Sequence, residues 1–324
     1  MVIQKDFPLS QILWYRIGGK AKYLLSCESY LDIIKALEFI DKHKIGKVAV
    51  VGLGSNLIFP DDYFNGAVIR IAETKALPDQ FQKKNESVSV FAGATLYDLM
   101  QFAFDHSLTG LEWGGGLPGT IGAGVRGNVG AFGGEIKDLF FSAEVLAIKS
   151  NKHMLRTLYK NDLNFSYRNS FIKKNKNMII VSTTFNLLKA KDQELANAKD
   201  IYTNNINYRN KHHPMEYPSC GSVFKNITEP EKLKKILTTW PDIEDLVRNK
   251  WHGKVSMGYL IRRLGFAGLR VGNMQVSEKH SNFIVNLGDG RSSDALSIIK
   301  EIQNNVEEVF GFTPETEVEI ASLE

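Results

Sequence analysis

Six segments are predicted to be helices, most of them because apolar residues recur at helical spacing. In the first, the apolar face consists of Leu31, Ile34, Leu37 and Ile40. Ser29 and Asp32 resemble a capping box at its start. The six segments are 29–44, 95–106, 192–211, 229–238, 256–264 and 292–310. The third is polar and connects two differently patterned parts of the chain.

Short apolar or alternating runs between these helices predict strands. They are 48–51, 67–71, 87–92, 143–148, 178–188, 268–271, 282–286 and 315–320, with 219–225 as strand or loop. The order mixes helices and strands without a regular alternation. We therefore predict an α+β protein with a domain boundary near 205.

The segment 110–138 holds 11 of the 27 glycines in the chain. Glycine in an ordered segment costs backbone entropy, and that cost is accepted where the chain turns sharply or a ligand comes close. One interpretation is a set of tight turns. The other is a main-chain cradle for an anionic group such as a diphosphate. Residues 117–122 resemble a helix start with Pro118 in the first turn and unpaired N–H groups facing the anion.

A second glycine turn, 52–56, follows the strand 48–51. Neither turn has the GxGxxG spacing of a dinucleotide-binding βαβ unit, because the third glycine and the following helix are missing. A Rossmann dehydrogenase is therefore disfavoured.

Composition is that of a soluble globular protein of 324 residues, which favours two domains. No apolar run is long enough to span a membrane, and the start of the chain lacks a secretory pattern. With two distant cysteines, Cys27 and Cys220, we expect a reduced cytoplasmic setting and no disulfide framework. No metal-ligand spacing occurs. The net charge of +4 is scattered, so we expect no nucleic acid but allow a small polyanionic substrate.

Seven segments, in order along nearly the whole chain, resemble the UDP-N-acetylenolpyruvoylglucosamine reductase family. They are 15–19 (YRIGG), 52–58 (GLGSNLI), 110–134 (GLEWGGGLPGTIGAGVRGNVGAFGG), 165–171 (FSYRNSF), 218–226 (PSCGSVFKN), 266–286 (FAGLRVGNMQVSEKHSNFIVN) and 310–318 (FGFTPETEV). The resemblance implies a flavoenzyme that makes UDP-N-acetylmuramate for peptidoglycan.

The resemblance also implies a fold and cofactors. We expect an FAD-binding domain of the vanillyl-alcohol oxidase type over 1–205, in subdomains of about 1–70 and 71–205, and a substrate-binding domain over 206–324. FAD would be non-covalent and NADPH the hydride donor. The FAD contacts carried over are Gly52, Gly54, Ser55, Asn56, Gly119, Thr120, Gly122 and Asn128, although Asn128 has an alternative reading as a turn former.

Three residues acquire catalytic roles by the same resemblance. Arg168 would hold the enolpyruvyl carboxylate and the developing enolate, since a guanidinium is always charged and binds a carboxylate bidentately. Ser222 would protonate C2, and Glu317 would assist. On a strand, Glu315, Glu317 and Glu319 would share a face and repel, which could raise a pKa.

Substrate contacts are predicted at Tyr167, Lys225, Asn226, Lys254 and Gln275, with His280 as a weaker candidate. Two positions depart from the family pattern. Arg126 stands where an apolar residue is usual, and we hypothesise that it touches an FAD phosphate or pairs with an acid. Glu319 stands where a basic residue is frequent.

Other readings remain open from the sequence. One is an FAD-dependent sugar or alcohol oxidase of the same fold, although neither glycine turn has a histidine or cysteine to tether the flavin. Another is a non-catalytic UDP-sugar-binding protein. A thiol enzyme built on Cys220 with His212 or His213 as base is disfavoured, since no thiol-enzyme signature surrounds it. We expect a monomer.

Overall fold

A computed structural model gives the structure of the protein and describes residues 1–72, 81–149 and 152–321. The chain forms two compact units, each built from separate segments. The larger unit comprises Met1–Phe7, Ala21–Leu53 and Phe64–Lys211. The smaller unit comprises Pro8–Lys20, Gly54–Tyr63 and His212–Glu324.

The strands of the described residues are short and unevenly spaced. They are β1 (Val2–Pro8), β2 (Lys20–Cys27), β3 (Val48–Val51), β4 (Leu57–Ile58), β5 (Phe64–Ile71), β6 (Phe81–Lys84), β7 (Ser87–Phe91), β8 (Leu108–Thr109), β9 (Gly130–Ala131), β10 (Gly134–Glu135), β11 (Phe140–Lys149), β12 (Lys152–Tyr159), β13 (Met178–Asn186), β14 (Leu188–Lys189), β15 (Arg270–Val271), β16 (Met274–Val276), β17 (Ile284–Asn286) and β18 (Glu319–Ile320).

The helices include all six predicted segments. They are α1 (Tyr30–Lys42), α2 (Leu96–Asp105), α3 (Ile121–Gly127), α4 (Ile136–Leu139), α5 (Phe171–Lys174), α6 (Asp192–His212), α7 (Pro230–Thr239), α8 (Met257–Arg263) and α9 (Ser292–Phe310). The predicted box at the start of α1 is half formed, since the Ser29 hydroxyl accepts a hydrogen bond from the amide of Asp32. The pattern of apolar residues thus located the long helices correctly.

The larger unit contains two main sheets. One has the order β1-β2-β5-β3, and β5 pairs in parallel with both β2 and β3. The other is antiparallel with the order β12-β11-β13-β7-β6. Strand β5 is buried along most of its length, as expected for a strand between two parallel neighbours. One continuous apolar core joins α1, α2 and both sheets.

The smaller unit has its own core, formed by α7, α8, α9 and the antiparallel sheet β15-β16-β17. Tyr15 and Ile17 from the YRIGG segment are buried in this core. A short parallel pair, β18 with β4, joins the end of the described chain to residues 57 and 58. The mixture of helices with parallel and antiparallel strands confirms the α+β prediction.

Several elements differ from the sequence-based prediction. The segment 315–320 is a strand only at Glu319–Ile320, and Pro118 lies outside α3, whose N-cap is Thr120. Strands β1, β2, β6 and β12 were not predicted. The boundary near 205 lies inside α6, whereas the two units separate after Lys211. The assignment of cofactor and substrate roles to the two parts of the chain stays a prediction.

Candidate functional site

Gly52, at the start of the first glycine turn, contacts Thr120 of the glycine-rich segment, and both residues lie in the larger unit. Gly52 follows β3, and a Cβ built on it would lie 2.3 Å from Oγ1 of Thr120. That distance is shorter than real Cβ contacts, so glycine at position 52 lets its main chain lie against the Thr120 side chain. Thr120 is itself buried at the N-cap of α3. The sequence did not predict this contact.

The first amides of α3 are already occupied, which corrects the expectation that they face an anion. The amide of Ile121 donates to the carbonyl of Ala94 at 2.8 Å, and that of Gly122 donates to Ala92 at 2.9 Å. A Cβ on Gly122 would lie 2.9 Å from the Cβ of Ala92, so packing explains this glycine. Packing against Ala92 is thus a sufficient reason for glycine at position 122, and its contact with FAD stays a prediction.

The amides immediately before α3 are different. Gly119 has a φ of +142°, and its carbonyl accepts from Leu96. Within residues 1–72, 81–149 and 152–321, no protein group accepts a hydrogen bond from the amides of Gly119 and Thr120. Two such donors beside the Gly52 turn fit an anionic diphosphate.

Asn128 has the role of a turn former. It is fully buried, adopts φ of +45° and ends α3. Its Nδ2 donates to Glu135 Oε2 at 3.1 Å and to the carbonyl of Ser166 at 3.0 Å, while its Oδ1 accepts from the amide of Lys137 at 3.1 Å. Both polar atoms of the side chain are hydrogen-bonded to protein, which favours the reading of Asn128 as a turn former, and its FAD contact stays a prediction.

Arg168 lies against the glycine-rich segment. Its Nη2 donates to the carbonyl of Gly130 at 2.6 Å, and its Nη1 lies 3.5 Å from the carbonyl of Asn128. The guanidinium lies 5.1 Å from the centre of the Tyr167 ring, and the residue has a left-handed φ of +54°. These contacts fix the direction of the charged group, with Tyr167 as its platform.

Glu135 is the carboxylate near this arginine. Partial burial works to raise the pKa of Glu135, but hydrogen bonds from Lys137 and Asn128, together with the charges of Lys137 and Arg168, outweigh it and leave the pKa below its usual value. Glu135 therefore stays ionised at neutral pH. Arg126, in the last turn of α3, is half-buried and has interaction partners of its own.

In the smaller unit, Ser222 and Glu317 lie on hydrogen-bonded segments. The amide of Glu317 donates to the carbonyl of Val223 at 2.7 Å, and the amide of Lys225 donates to the carbonyl of Glu315 at 3.0 Å. Gly221, with a φ of +77°, turns the chain just before Ser222. Two of the three residues predicted to be catalytic are thus brought together by main-chain pairing.

Asn282 holds this pair of segments and was not singled out from the sequence. Its carbonyl accepts from the amide of Val223 at 2.8 Å. Its side chain accepts from the amide of Phe224 at 3.0 Å and donates to the Phe224 carbonyl at 2.8 Å. An asparagine at the start of the predicted apolar strand 282–286 is the signal that could have identified it, since a buried amide needs partners.

Asn56 contacts the same segment from the end of the first glycine turn. Its Nδ2 donates to the carbonyl of Glu317 at 3.2 Å, and its own carbonyl accepts from the amide of Glu319 at 3.1 Å. Nearby, Gly54 has a φ of +65°, and a Cβ there would lie 2.4 Å from Cδ2 of Leu13. Ser55 is half-buried between them. Asn56 therefore positions the main chain of Glu317, and its FAD contact stays a prediction.

The three glutamates near the end of the chain do not form one repelling strand face. Only Glu319 belongs to a strand, and the Glu315 carboxylate pairs with Lys225 Nζ at 2.9 Å. Lys232 Nζ lies 3.8 Å from the same carboxylate. The expected mutual repulsion is thus offset by lysines, and Lys225, which we predicted to contact the substrate, has a carboxylate partner in this structure.

The remaining predicted substrate residues belong to the smaller unit, where Asn226 and Lys254 lie on segments paired through Ile227 and Val255. Asn226 Oδ1 accepts from the amide of Met257 at 3.1 Å at the start of α8. Gln275 donates to the carbonyl of Gly268 at 3.1 Å, and Lys254 is exposed. His280 packs beside Gly258, and burial lowers its pKa.

Cys220 is not a nucleophile. It is buried, and burial raises the pKa of its thiol to about 12. A thiol with that pKa carries almost no thiolate at neutral pH. His213 contacts the rings of His280 and Phe283 instead, at 5.2 Å and 5.0 Å between ring centres.

The residues that the structure describes contain neither a candidate metal site nor a helix that could span a membrane. No cluster of histidine, cysteine, aspartate and glutamate there could hold a metal ion. Among the same residues, every helix is too short or too polar to cross a bilayer.

The chain is similar to known proteins over nearly its whole length. Residues 21–150 match the model of an FAD binding domain, and residues 213–321 match that of the C-terminal domain of UDP-N-acetylenolpyruvoylglucosamine reductase. The reductase of Caldicellulosiruptor saccharolyticus is 33% identical over 315 residues, covering 97% of this chain and 90% of that protein. That of Lactobacillus acidophilus is 33% identical over 322 residues, covering 99% and 96%.

A solved structure agrees with these relatives. The crystal structure of UDP-N-acetylenolpyruvylglucosamine reductase from Thermus caldophilus has a TM-score of 0.74 and 26% sequence identity. The match covers 99% of this chain and 100% of that one. The similarity therefore extends over both compact units.

Proposed function

The chain belongs to the UDP-N-acetylenolpyruvoylglucosamine reductase family of FAD-dependent oxidoreductases, and on this premise we propose that it reduces the enolpyruvyl group of UDP-N-acetylglucosamine enolpyruvate with NADPH. The product is UDP-N-acetylmuramate, a precursor of peptidoglycan. Membership confirms the family and the FAD cofactor expected from the sequence. One observation supports the chemistry above all: the segments that carry Ser222 and Glu317 are hydrogen-bonded to each other.

FAD fits the residues of the glycine turns. The close approach of Gly52 to Thr120 and the unengaged amides of Gly119 and Thr120 provide donors without side-chain obstruction. We propose that these residues, with Gly54 and Ser55, hold the diphosphate of the cofactor. The chemistry that FAD supplies when bound is hydride transfer, from NADPH to C3 of the enolpyruvyl group.

Arg168 suits the substrate carboxylate and the negative charge that develops beside it. A guanidinium stays charged at any physiological pH and presents several donors in one plane. Contacts with Gly130 and Tyr167 already fix that plane, so little orientation entropy remains to be lost when the substrate binds. We propose that Arg168 binds the carboxylate and stabilises the enolate.

Ser222 suits the proton transfer to C2. Its O–H bond breaks as the C2–H bond forms, Glu317 assists this transfer, and a proton from solvent then restores the Ser222 hydroxyl. The side chain is half-buried, and among the residues that the structure describes none hydrogen-bonds its hydroxyl. The main-chain bonds of Asn282 and Asn56 hold the segments on both sides of this pair. A hydroxyl is a weak acid, so its position relative to a strongly basic carbon must be well defined.

The proton step can be tested separately from the first half-reaction. In anaerobic stopped-flow experiments, NADPH should bleach the flavin of Ser222→Ala as fast as that of the unsubstituted protein. Recolouring by the enolpyruvyl UDP-sugar should then be slower by about 10²-fold or more, because the proton donor is missing. The matched control is Ser297→Ala, which removes an exposed hydroxyl from α9 of the same unit. Equal recolouring rates for Ser222→Ala and the control would remove Ser222 from the mechanism.

A further inference from the structure

Helix α6 carries a buried arginine that the proposed function does not use. Arg209 is 8% exposed, although α6 is otherwise polar and its neighbouring Tyr208 is exposed. A buried guanidinium is costly unless it is paired with a negative charge or fully hydrogen-bonded. The contacts of Arg209 therefore need an explanation.

Protein groups satisfy only part of the hydrogen-bonding capacity of the Arg209 side chain. Arg209 Nε donates to the carbonyl of Gly115 at 2.8 Å, and its Cδ would lie 3.0 Å from a Cβ on Gly116. The guanidinium lies 5.1 Å from the centre of the Phe132 ring. Within the described part of the chain, no carboxylate pairs with Arg209, and no acceptor is hydrogen-bonded to its two terminal nitrogens.

The surroundings also show a backbone under strain. Phe132 adopts a φ of +49°, a left-handed conformation that is unfavourable for a bulky residue. Its ring contacts both Arg209 and Tyr208. Strain of this kind is found mainly where a ligand or a catalytic group must be held in place.

The charge of Arg209 persists in this environment. Burial lowers its pKa to about 10, so the guanidinium remains protonated at neutral pH. Gly115 and Gly116 precede Gly119 and Thr120, whose amides have no acceptor among the described residues, by only a few positions. A protonated arginine with unused donors thus contacts the same glycine-rich segment that carries these two amides.

We propose that the terminal nitrogens of Arg209 bind an anionic group of FAD. This inference rests on the FAD binding of the proposed function. A planar pair of N–H donors matches a phosphate oxygen pair, and it equally matches the pyrimidine edge of the flavin ring, which gains negative charge on reduction. In both cases the cofactor supplies the acceptors that the described residues do not provide for the terminal nitrogens of Arg209.

The experiment compares FAD binding by three forms of the full chain. Apoprotein is titrated with FAD for the unsubstituted protein, Arg209→Met and Arg209→Lys, and the midpoint potential of the bound flavin is measured for each. Arg209→Met should bind FAD about tenfold more weakly or worse, and Arg209→Lys should recover part of the loss because it keeps the charge. Thermal unfolding of the apoproteins checks that each variant folds.

The potential identifies which group is bound. If Arg209 contacts the diphosphate, its loss weakens the binding of oxidised and reduced FAD equally, so the potential is unchanged. If Arg209 contacts the flavin ring, its loss weakens the binding of reduced FAD more, and a tenfold difference in affinity lowers the two-electron potential by about 30 mV. Either outcome supports the proposal.

A matched control removes an exposed arginine of the larger unit, Arg156→Met on β12, and should leave affinity and potential unchanged. If Arg209→Met apoprotein is folded and binds FAD as tightly as this control, Arg209 serves only to hold Gly115 and the inference is wrong while the proposed function stands. If the unsubstituted protein binds no FAD, both fail.

Discussion

At the scale of single residues, orientation matters more than residue type. Arg168 and Arg209 both donate to carbonyls of the glycine-rich segment 110–138, yet Arg168 donates to Gly130 and is half-buried, whereas Arg209 donates to Gly115 and is nearly inaccessible. The sequence indicated Arg168 only through the family motif, because an isolated arginine is most often at the surface. It gave no sign of Arg209, since burial depends on contacts with distant segments. Asn128, by contrast, belongs to a family motif, but its side chain is hydrogen-bonded to Glu135, Ser166 and Lys137.

A conservative change at Arg168 should separate charge from geometry. Arg168→Lys keeps the positive charge but loses the fork that binds a carboxylate through two bonds. We expect an unchanged rate of flavin bleaching by NADPH, a higher KM for the enolpyruvyl UDP-sugar and a lower kcat, by about tenfold or more together. Steady-state kinetics with Arg156→Lys as the control would check this. A variant with unaltered kcat and KM would show that the fork is not used.

At the scale of elements, the apolar pattern predicted the long helices because their buried faces repeat at a helical period. It failed where an element depends on a partner. The strand predicted at 315–320 is limited to Glu319–Ile320, which pairs with β4, because the amides of Glu317 and Val318 bond instead to the carbonyl of Val223. Strands β1 and β12 are largely exposed, so their residues lack the alternation that marks a strand. The contact between the glycine turns joins segments far apart in sequence, and no local pattern could reveal it.

That contact predicts a specific effect of adding one methyl group. Gly52→Ala would place a Cβ 2.3 Å from Thr120 Oγ1, and we expect about 1–3 kcal/mol of destabilisation together with weaker FAD binding. Thermal unfolding and FAD titration measure the two effects. Gly46→Ala is the matched control, since a Cβ there meets nothing within 4 Å.

A second substitution tests the cause of the Gly52 effect. Thr120→Ala removes the atoms that clash, so the double variant Gly52→Ala/Thr120→Ala should be more stable than the sum of the two single changes implies. Strict additivity of the two free energies would mean that the clash with Thr120 is not the cause.

At the scale of the whole molecule, the two compact units are interleaved in sequence. The segments 8–20 and 54–63 belong to the smaller unit, although they precede or interrupt the stretch that matches an FAD binding domain. Apolar patterning predicted an α+β protein, but it could not assign these segments, because their burial is decided by residues more than 200 positions away, such as Ile284. The family and its cofactor were predictable only from motifs in a fixed order.

The central claim is that this chain passes electrons from NADPH through bound FAD to an enolpyruvyl UDP-sugar. The most direct measurement is an anaerobic titration of the purified flavoprotein, first reduced by one equivalent of NADPH and then treated with the enolpyruvyl UDP-sugar. We expect full recolouring at one equivalent and a product that mass spectrometry finds heavier than the substrate by two hydrogens. A flavin that stays bleached until oxygen is admitted, or a protein that NADPH does not bleach, would contradict it.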